Sequence, residues 1–291
     1  MEMCEQGGRN TEKIKRRAGL CLATQTRRLR EEHGYRMIIK NKYPVCEYDT
    51  SRNPIIKPTD FLEKTLPSKC VITFFRKELN QFVEDKKLPI IGYLHSEVLD
   101  IPIYEYSTPV NRICITMPFS TAPGAAGTIE ELHAMGCDKF IICGGAGSIK
   151  KDSKVGEIIV PIAAVRDEGT SYHYLEPSRE VDCHKATVDY VVSGLEKLGI
   201  PYTTGKTWTT DAMYRETPEM IELRRNEGCI TVEMETAAFF AVSKYYDIPL
   251  AQLLYAGDDV SGEKWDTRNW DSQKNVRSNM IFTAIKLIEE L

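Results

Sequence analysis

The most informative stretch of this chain is Thr231-Val232-Glu233-Met234-Glu235-Thr236-Ala237-Ala238, where a short apolar run changes into an apolar helical pattern. That order is typical of a strand followed by a helix. Two carboxylates, Glu233 and Glu235, flank a methionine at the junction. A charged group between two apolar elements is costly unless it is paired or functional. The junction is therefore a candidate site, and carboxylates stabilised by the dipole of the following helix are the structural alternative.

The same alternation of apolar runs and amphipathic segments extends from Ile38 to the end of the chain. It predicts strands at Cys70–Phe75, Ile101–Tyr104, Ile113–Thr116, Lys139–Cys143, Glu157–Pro161, Ile230–Val232 and Leu250–Tyr255. It predicts helices at Asp60–Lys64, Lys77–Lys86, Gly127–Met135, Lys185–Leu198, Pro218–Asn226, Glu235–Tyr246 and Ser272–Leu291. Strands that alternate with helices indicate an α/β fold with a mostly parallel sheet covered by helices.

Three polar or glycine-rich stretches follow predicted strands: Gly144–Gly147, Glu233–Glu235 and Gly257–Asp259. Ligands of such folds bind outside the carboxyl ends of the strands. Glycines after a strand let the backbone approach a ligand and expose amide donors, although a tight turn also explains them. Asp258 on its own is equally typical of a turn beside glycine. The three stretches together predict a site at this edge of the sheet.

Two further segments carry candidate ligand contacts. Trp208–Tyr214 combines aromatic and small polar residues in a predicted loop, where a planar base could stack on Trp208. A buried structural tryptophan is the alternative. Arg166–Tyr174 is a dense polar run after a strand, and structural ion pairs explain it as well as substrate contacts do.

Composition narrows the function classes. The chain has 291 residues, 42% hydrophobic and 27% charged, with a net charge of −4. This charge gives no electrostatic footprint for nucleic acid, and no apolar run approaches the roughly 18 residues of a membrane span. The nine cysteines form no CxxC pair. We therefore expect reduced thiols, no metal site and a cytoplasmic protein.

Residues 1–36 differ from the rest of the chain, with nine Lys or Arg, five Asp or Glu and little hydrophobic periodicity. We expect them to form a disordered extension, with Met37 as the native start. Residues 37–291 are then a single catalytic domain.

Taken together, these motifs resemble the nucleoside phosphorylase/nucleosidase superfamily, which contains bacterial purine nucleoside phosphorylase, uridine phosphorylase and methylthioadenosine/adenosylhomocysteine nucleosidase. The resemblance extends from about Ile91 to Leu291 and is strongest across Val232–Ala238. Gly144–Gly147 and Arg166–Tyr174 also match. The resemblance implies a three-layer α/β/α sandwich with a central mixed, mostly parallel sheet. It also implies a homo-oligomer, with no metal and no organic cofactor.

The resemblance assigns roles by position. Glu235 would accept hydrogen bonds from the ribose 2′- and 3′-hydroxyls, and Asp258 would protonate a purine as it leaves. Met234, Glu233, Trp208 and Ser120 would be the other substrate contacts. The phosphate side would consist of Gly144, Gly145, Ala146, Gly147 and Arg166.

Some positions depart from the superfamily pattern. Ile142 stands where the phosphorylases have a phosphate-binding arginine, and Leu254 stands where the nucleosidases have an arginine. Arg112, Arg166 or a neighbouring subunit could supply the missing charge. Thr217 and Glu219 replace the pair that reads uracil, which favours a purine.

We therefore expect phosphorolysis of a purine nucleoside to free base and ribose 1-phosphate, with phosphate as co-substrate. The alternatives are a nucleosidase that uses water, a uridine phosphorylase and a non-catalytic protein that binds or stores nucleosides.

Overall fold

The computed structural model describes residues 38–291. The expected disordered extension at residues 1–36 and the proposed start at Met37 lie outside the described residues. The chain divides into two compact units, with the boundary between Pro54 and Ile55. Within the described part of the first unit, Ile39 and Tyr48 form an isolated antiparallel bridge.

The second unit contains the strands β1 (Lys69–Thr73), β2 (Ile90–Leu94), β3 (Ile101–Ser107), β4 (Arg112–Thr116), β5 (Lys139–Ser148), β6 (Ile158–Asp167), β7 (Glu180–Asp182), β8 (Tyr202–Thr210), β9 (Cys229–Glu233) and β10 (Leu250–Asp259). Its helices are α1 (Arg76–Lys86), α2 (Thr121–Ala134), α3 (Lys185–Lys197), α4 (Pro218–Asn226), α5 (Thr236–Tyr246) and α6 (Lys274–Glu290). All of these strands belong to one mixed sheet.

Part of this sheet closes on itself. Strands follow the order β10-β6-β8-β9-β5, and β5 also pairs with β10, which completes a five-stranded ring. The order continues from β5 through β1, β4 and β3 to β2 as an open extension. The ring brings the ends of β5, β9 and β10 together, although these strands are far apart in sequence.

Two apolar cores lie between the sheet and the helices. One contains Ala125 and Ile129 of α2 with Phe239 and Phe240 of α5. The other contains residues of α1, α3 and α6, including Leu79. Helices therefore cover the sheet in two sets, which is the expected three-layer arrangement.

Most of the predicted elements are present, but three expectations need correction. Asp60–Lys64 is not a helix: only a single 3₁₀ turn forms, at Pro58–Asp60. The turn ends at Phe61, whose φ of −136° is no longer helical. Helix α2 begins at Thr121, six residues before the predicted start at Gly127.

The third correction concerns strand length. Gly144–Gly147 and Trp208–Thr210 are strand residues of β5 and β8, not loops. Glycine and threonine lack the apolar signature of a buried strand, but Thr207 and Thr209 are fully buried, and β-branched side chains suit a pleated sheet. The strands consequently carry their polar ends into the site region.

Candidate active site

Glu233 ends β9 and has its carboxylate enclosed by protein donors. Its Oε2 accepts the backbone N–H groups of Glu235 and Thr236, both at 2.7 Å. Its Oε1 accepts the hydroxyl of Thr209 at 2.6 Å. Burial raises the pKa of Glu233, and these hydrogen bonds oppose that effect. The carboxylate thus satisfies the first backbone donors of α5.

Glu235 lies at the N-cap of α5 and is more open. Its Oε1 accepts the backbone N–H of Thr121 at 2.8 Å. Burial, followed by the neighbouring Glu233, raises the pKa of Glu235 to about 7, and the Thr121 N–H opposes this rise. A carboxylate has about four acceptor positions, so the Thr121 N–H leaves capacity for further hydroxyl donors. Met234, between the two glutamates, is half-buried.

Thr121 donates that hydrogen bond from an unusual backbone conformation. Its φ is +70°, in the left-handed region that β-branched residues rarely adopt. Such strain persists where the surrounding structure imposes it and is concentrated at functional sites. The expected substrate residue Ser120 is adjacent, exposed and at the N-cap of α2. The start of α2 therefore faces the start of α5 through Glu235.

Asp258 is the penultimate residue of β10, and its carboxylate has a partner that sequence reasoning missed. The indole Nε1 of Trp265 donates to its Oδ2 at 2.7 Å. Arg268 Nη2 donates to its backbone oxygen at 2.8 Å. Burial, followed by the charge of Asp258, raises the pKa of Glu216 to about 7. Glu216 and Trp265 are therefore further candidate residues. In the sequence, the only hint is that Glu216 follows the Trp208–Tyr214 stretch and Trp265 follows Asp258.

Gly147 of β5 lies between the two acidic strand ends. A Cβ built on this glycine would lie 3.1 Å from Val232 Cγ1 and 3.6 Å from Asp258 Oδ1. Val232 is paired with Gly147 and directly precedes Glu233. The absence of a side chain therefore allows the end of β9 and the Asp258 carboxylate to approach the same strand.

The rest of the predicted phosphate loop is part of the sheet. Gly144, Gly145 and Ala146 are in register with residues 254–256 of β10, so this is not an irregular loop. A Cβ on Gly144 would meet the ring of Phe74 at 3.1 Å, and one on Gly145 would meet Tyr255 at 3.0 Å. At these two positions the glycines accommodate aromatic rings of the protein.

The arginines expected on the phosphate side are engaged elsewhere. Arg166 is 4% exposed and donates to Ser171 Oγ at 2.8 Å and Ser178 Oγ at 2.7 Å. Its guanidinium also stacks on Tyr172. Arg112 pairs with Glu105 at the amino end of β4, away from the carboxyl edge. The structure therefore gives Arg166 a role in holding the segment after β6.

Trp208 is enclosed by protein groups. It is 1% exposed, within a core cluster that includes Val165 and Val232. Its Nε1 donates to Asp167 Oδ2 at 2.9 Å, and the guanidinium of Arg224 lies over its ring. A buried ring covered on one face by an arginine fits the structural alternative given above, and base stacking on Trp208 stays a prediction.

Residues 69–290 match the sequence model of the phosphorylase superfamily. The chain belongs to the phosphorylase superfamily. Among its curated relatives in the superfamily, uridine phosphorylase of Thermococcus kodakarensis is 28% identical over 184 residues, which are 57% of this chain and 66% of the relative. Guanosine phosphorylase of Halorubrum lacusprofundi is 31% identical over 127 residues, 42% of this chain and 51% of the relative. The matched part thus spans less than two thirds of both relatives.

Solved structures of nucleoside phosphorylases and a nucleosidase share the fold of this chain. Purine nucleoside phosphorylase from Toxoplasma gondii gives a TM-score of 0.68 at 18% identity, covering 82% of this chain and 98% of that one. Uridine phosphorylase from Vibrio fischeri gives 0.67 at 20% identity, covering 83% and 100%. AMP nucleosidase from Bacteroides thetaiotaomicron gives 0.61 at 23% identity, covering 77% and 90%. The expected α/β sandwich is confirmed.

The described residues contain neither a metal-binding cluster nor a membrane-spanning helix. Between residues 38 and 291, no cluster of three or more His, Cys, Asp or Glu side chains is arranged to hold a metal ion. Over the same range, no helix combines the length and apolarity needed to cross a membrane.

Proposed function

We propose that this protein cleaves the N-glycosidic bond of a purine nucleoside, with Glu235 binding the ribose and Asp258 acting as the acid. The observation that carries the proposal is the closeness of two acidic strand ends at Gly147. Asp258 Oδ1 faces this glycine, and its strand partner Val232 leads into the Glu233–Glu235 junction. Superfamily membership supports the same chemistry.

The two carboxyl groups suit different parts of the reaction. As the C1′–N bond breaks, the sugar becomes oxocarbenium-like and gains positive charge. An ionised Glu235 accepts the ribose hydroxyls and stabilises this charge. The leaving base takes the bonding electron pair, and a proton from Asp258 neutralises it. A positioned general acid typically contributes about 10²–10⁴-fold to the rate.

For the acceptor we propose phosphate as the first candidate, because the named relatives include phosphorylases. A specific observation favours water as the second. Ile142 is fully buried, rings face Gly144 and Gly145, and Arg166 is held by its own loop. A phosphate dianion needs fixed charged donors, whereas water does not. A uridine phosphorylase and a nucleoside-binding protein are the remaining alternatives, and we expect a homo-oligomer without a metal or organic cofactor.

The test is release of free base from a panel of purine and pyrimidine nucleosides, with and without phosphate, followed by liquid chromatography. Release that requires phosphate and yields ribose 1-phosphate identifies a phosphorylase, and release without phosphate identifies a nucleosidase. Asp258→Asn is expected to lower purine release about 10²–10⁴-fold. Wild-type rates in this variant, or binding of nucleosides without turnover, would contradict the proposal.

A further inference from the structure

A short turn after β10 brings an exposed indole back to the acid. Asp259 and Asp266 pair through two backbone hydrogen bonds of 2.7 and 2.9 Å. Because side chains alternate between the two faces of paired strands, Asp258 and Trp265 lie on one face, and Asp259 and Asp266 lie on the other. The contact between Trp265 and Asp258 therefore follows from the backbone of the turn.

The chemistry of this contact distinguishes the two carboxyl oxygens. An indole N–H can only donate, so Oδ2 of Asp258 must accept from Trp265. The proton that an acid transfers is then left to Oδ1, which is the oxygen that faces Gly147. Trp265 is 63% exposed, so its ring is not held there by burial in the core.

The backbone that follows Trp265 is anchored at two points. Arg268 donates to the backbone oxygens of Asp258 at 2.8 Å and Ser153 at 2.6 Å. Further on, the backbone oxygen of Trp270 accepts from Tyr255 Oη and Arg277 Nη2, each at 3.0 Å. A side chain on an anchored backbone loses less conformational entropy when it makes a hydrogen bond.

We propose that Trp265 is a positioning residue for the general acid: its indole N–H fixes the carboxyl group of Asp258 so that the protonated Oδ1 points towards the leaving base. This inference rests on the proposed function. In the step itself, the O–H bond at Oδ1 breaks and an N–H bond forms on the imidazole ring of the purine. The base keeps the electron pair of the C1′–N bond, and the carboxylate left on Asp258 is stabilised by the indole N–H.

The test compares Trp265→Phe with a matched control, Trp270→Phe. The first substitution removes the N–H and keeps an aromatic ring, and the second leaves the backbone oxygen of residue 270 in place. Each is assayed on the best purine nucleoside of the panel and on its N7-methylated counterpart. The methylated base leaves in a neutral form and needs no proton, so it does not depend on the acid.

Trp265→Phe is expected to lower kcat about 10- to 100-fold on the unmodified nucleoside, as for a lost hydrogen bond to a charged group, with KM nearly unchanged. Trp265→Phe is expected to leave kcat on the methylated substrate unchanged, and Asp258→Asn should do the same. Trp270→Phe should act like wild type on both. Equal losses of Trp265→Phe on both substrates would indicate a structural turn and overturn the inference, and so would no loss.

A second measurement separates this inference from the proposed function. The indole N–H resonance of Trp265, assigned by its absence in Trp265→Phe, is expected to move in Asp258→Ala. An unchanged resonance overturns the contact. Silence of the wild type on every nucleoside overturns the proposed function, and the positioning role with it. If the wild type turns over nucleosides but Trp265→Phe slows the unmodified and the methylated substrate equally, only the positioning role is overturned.

Discussion

Glu233 and Glu235 are one residue apart but differ in what their carboxylates contact. Glu233 is enclosed by Thr209 and by two backbone N–H groups of the following turn. Glu235 accepts the backbone N–H of Thr121 and lies nearer the surface. The first carboxylate therefore has a structural role in starting α5, and the second retains acceptor capacity for a ligand.

Glu235→Gln is expected to lose most of the turnover. The same substitution is expected to raise the free energy of unfolding at alkaline pH. The pKa of Glu235 is about 7 in the folded protein, against roughly 4.3 for an unfolded chain. Between these values the folded state holds a proton that the unfolded state has released, so stability falls as the pH rises. The glutamine removes this penalty, which is at most about 4 kcal/mol.

Urea unfolding of both proteins at pH 5 and pH 8 measures this effect, and the gain should be larger at pH 8. An equal gain at the two pH values would contradict the shifted titration. In the wild type, kcat/KM should decrease as the pH falls below about 7, because in the proposed mechanism the ionised Glu235 accepts the ribose hydroxyls.

Glu216→Gln is expected to reduce turnover of purine nucleosides about tenfold and to flatten the pH dependence near 7. Burial, followed by the charge of Asp258, raises the pKa of Glu216 to about 7, so Glu216 changes its charge near neutral pH. The glutamine keeps the size of the side chain and removes the titration. Glu219→Gln, an exposed position three residues on, is the control and should leave the pH–rate profile unchanged.

At the scale of single elements, the site depends on where strands and helices begin and end. Strands β5, β8 and β10 continue through glycine and threonine into the site, and α2 begins at the strained Thr121. These ends fix the positions of Gly147, Asp258 and the Thr121 N–H. Local propensity does not favour them, so tertiary contacts must hold them in place.

Thr121→Gly is expected to raise the free energy of unfolding by up to about 1 kcal/mol. Glycine adopts a positive φ without steric cost, although it also adds freedom to the unfolded chain. The backbone N–H that donates to Glu235 remains. Thr121→Ala, which keeps the steric conflict, serves as the matched control in thermal unfolding. A glycine variant less stable than the alanine variant would contradict strain at this position.

At the scale of the whole molecule, a buried charged cluster joins α1, β10 and α6. Arg277 and Glu78 are 8% and 7% exposed, with an N–O separation of 3.8 Å. Arg277 also donates to Tyr255 Oη and to the backbone oxygen of Trp270. Its guanidinium lies among the rings of Phe75, Tyr255 and Trp270. The cluster thus fixes one end of the turn that carries Trp265.

Arg277→Met is expected to lower the free energy of unfolding by about 3–5 kcal/mol, because Glu78 would remain buried without a positive partner. Adding Glu78→Gln should recover part of the loss, since no uncompensated charge is left. Urea denaturation of the two single variants and the double variant gives the coupling energy. Additive losses would contradict direct coupling of the two side chains.

The sequence predicted the fold better than the details of the site. Apolar periodicity located most strands and helices, and the Val232–Ala238 motif located the glutamates. The resemblance assigned Trp208 and Arg166 to the ligand. In the structure both side chains are buried and hydrogen-bonded to neighbouring protein groups, and the two ligand roles stay predictions. A sequence pattern shows that a polar or aromatic residue lies near a strand end. It does not show towards which face of the sheet the side chain points.

The sequence by itself determined the α/β class, the superfamily motif and the acidic strand ends, because these depend on local periodicity and on residue type. Only the tertiary structure decided which of these residues meet. The ring formed by β5, β6, β8, β9 and β10 brings Gly147 between Val232 and Asp258, and the turn after β10 returns Trp265 to that acid. Such contacts depend on the register and closure of strands that are distant in sequence, and short-range patterns carry no information about them.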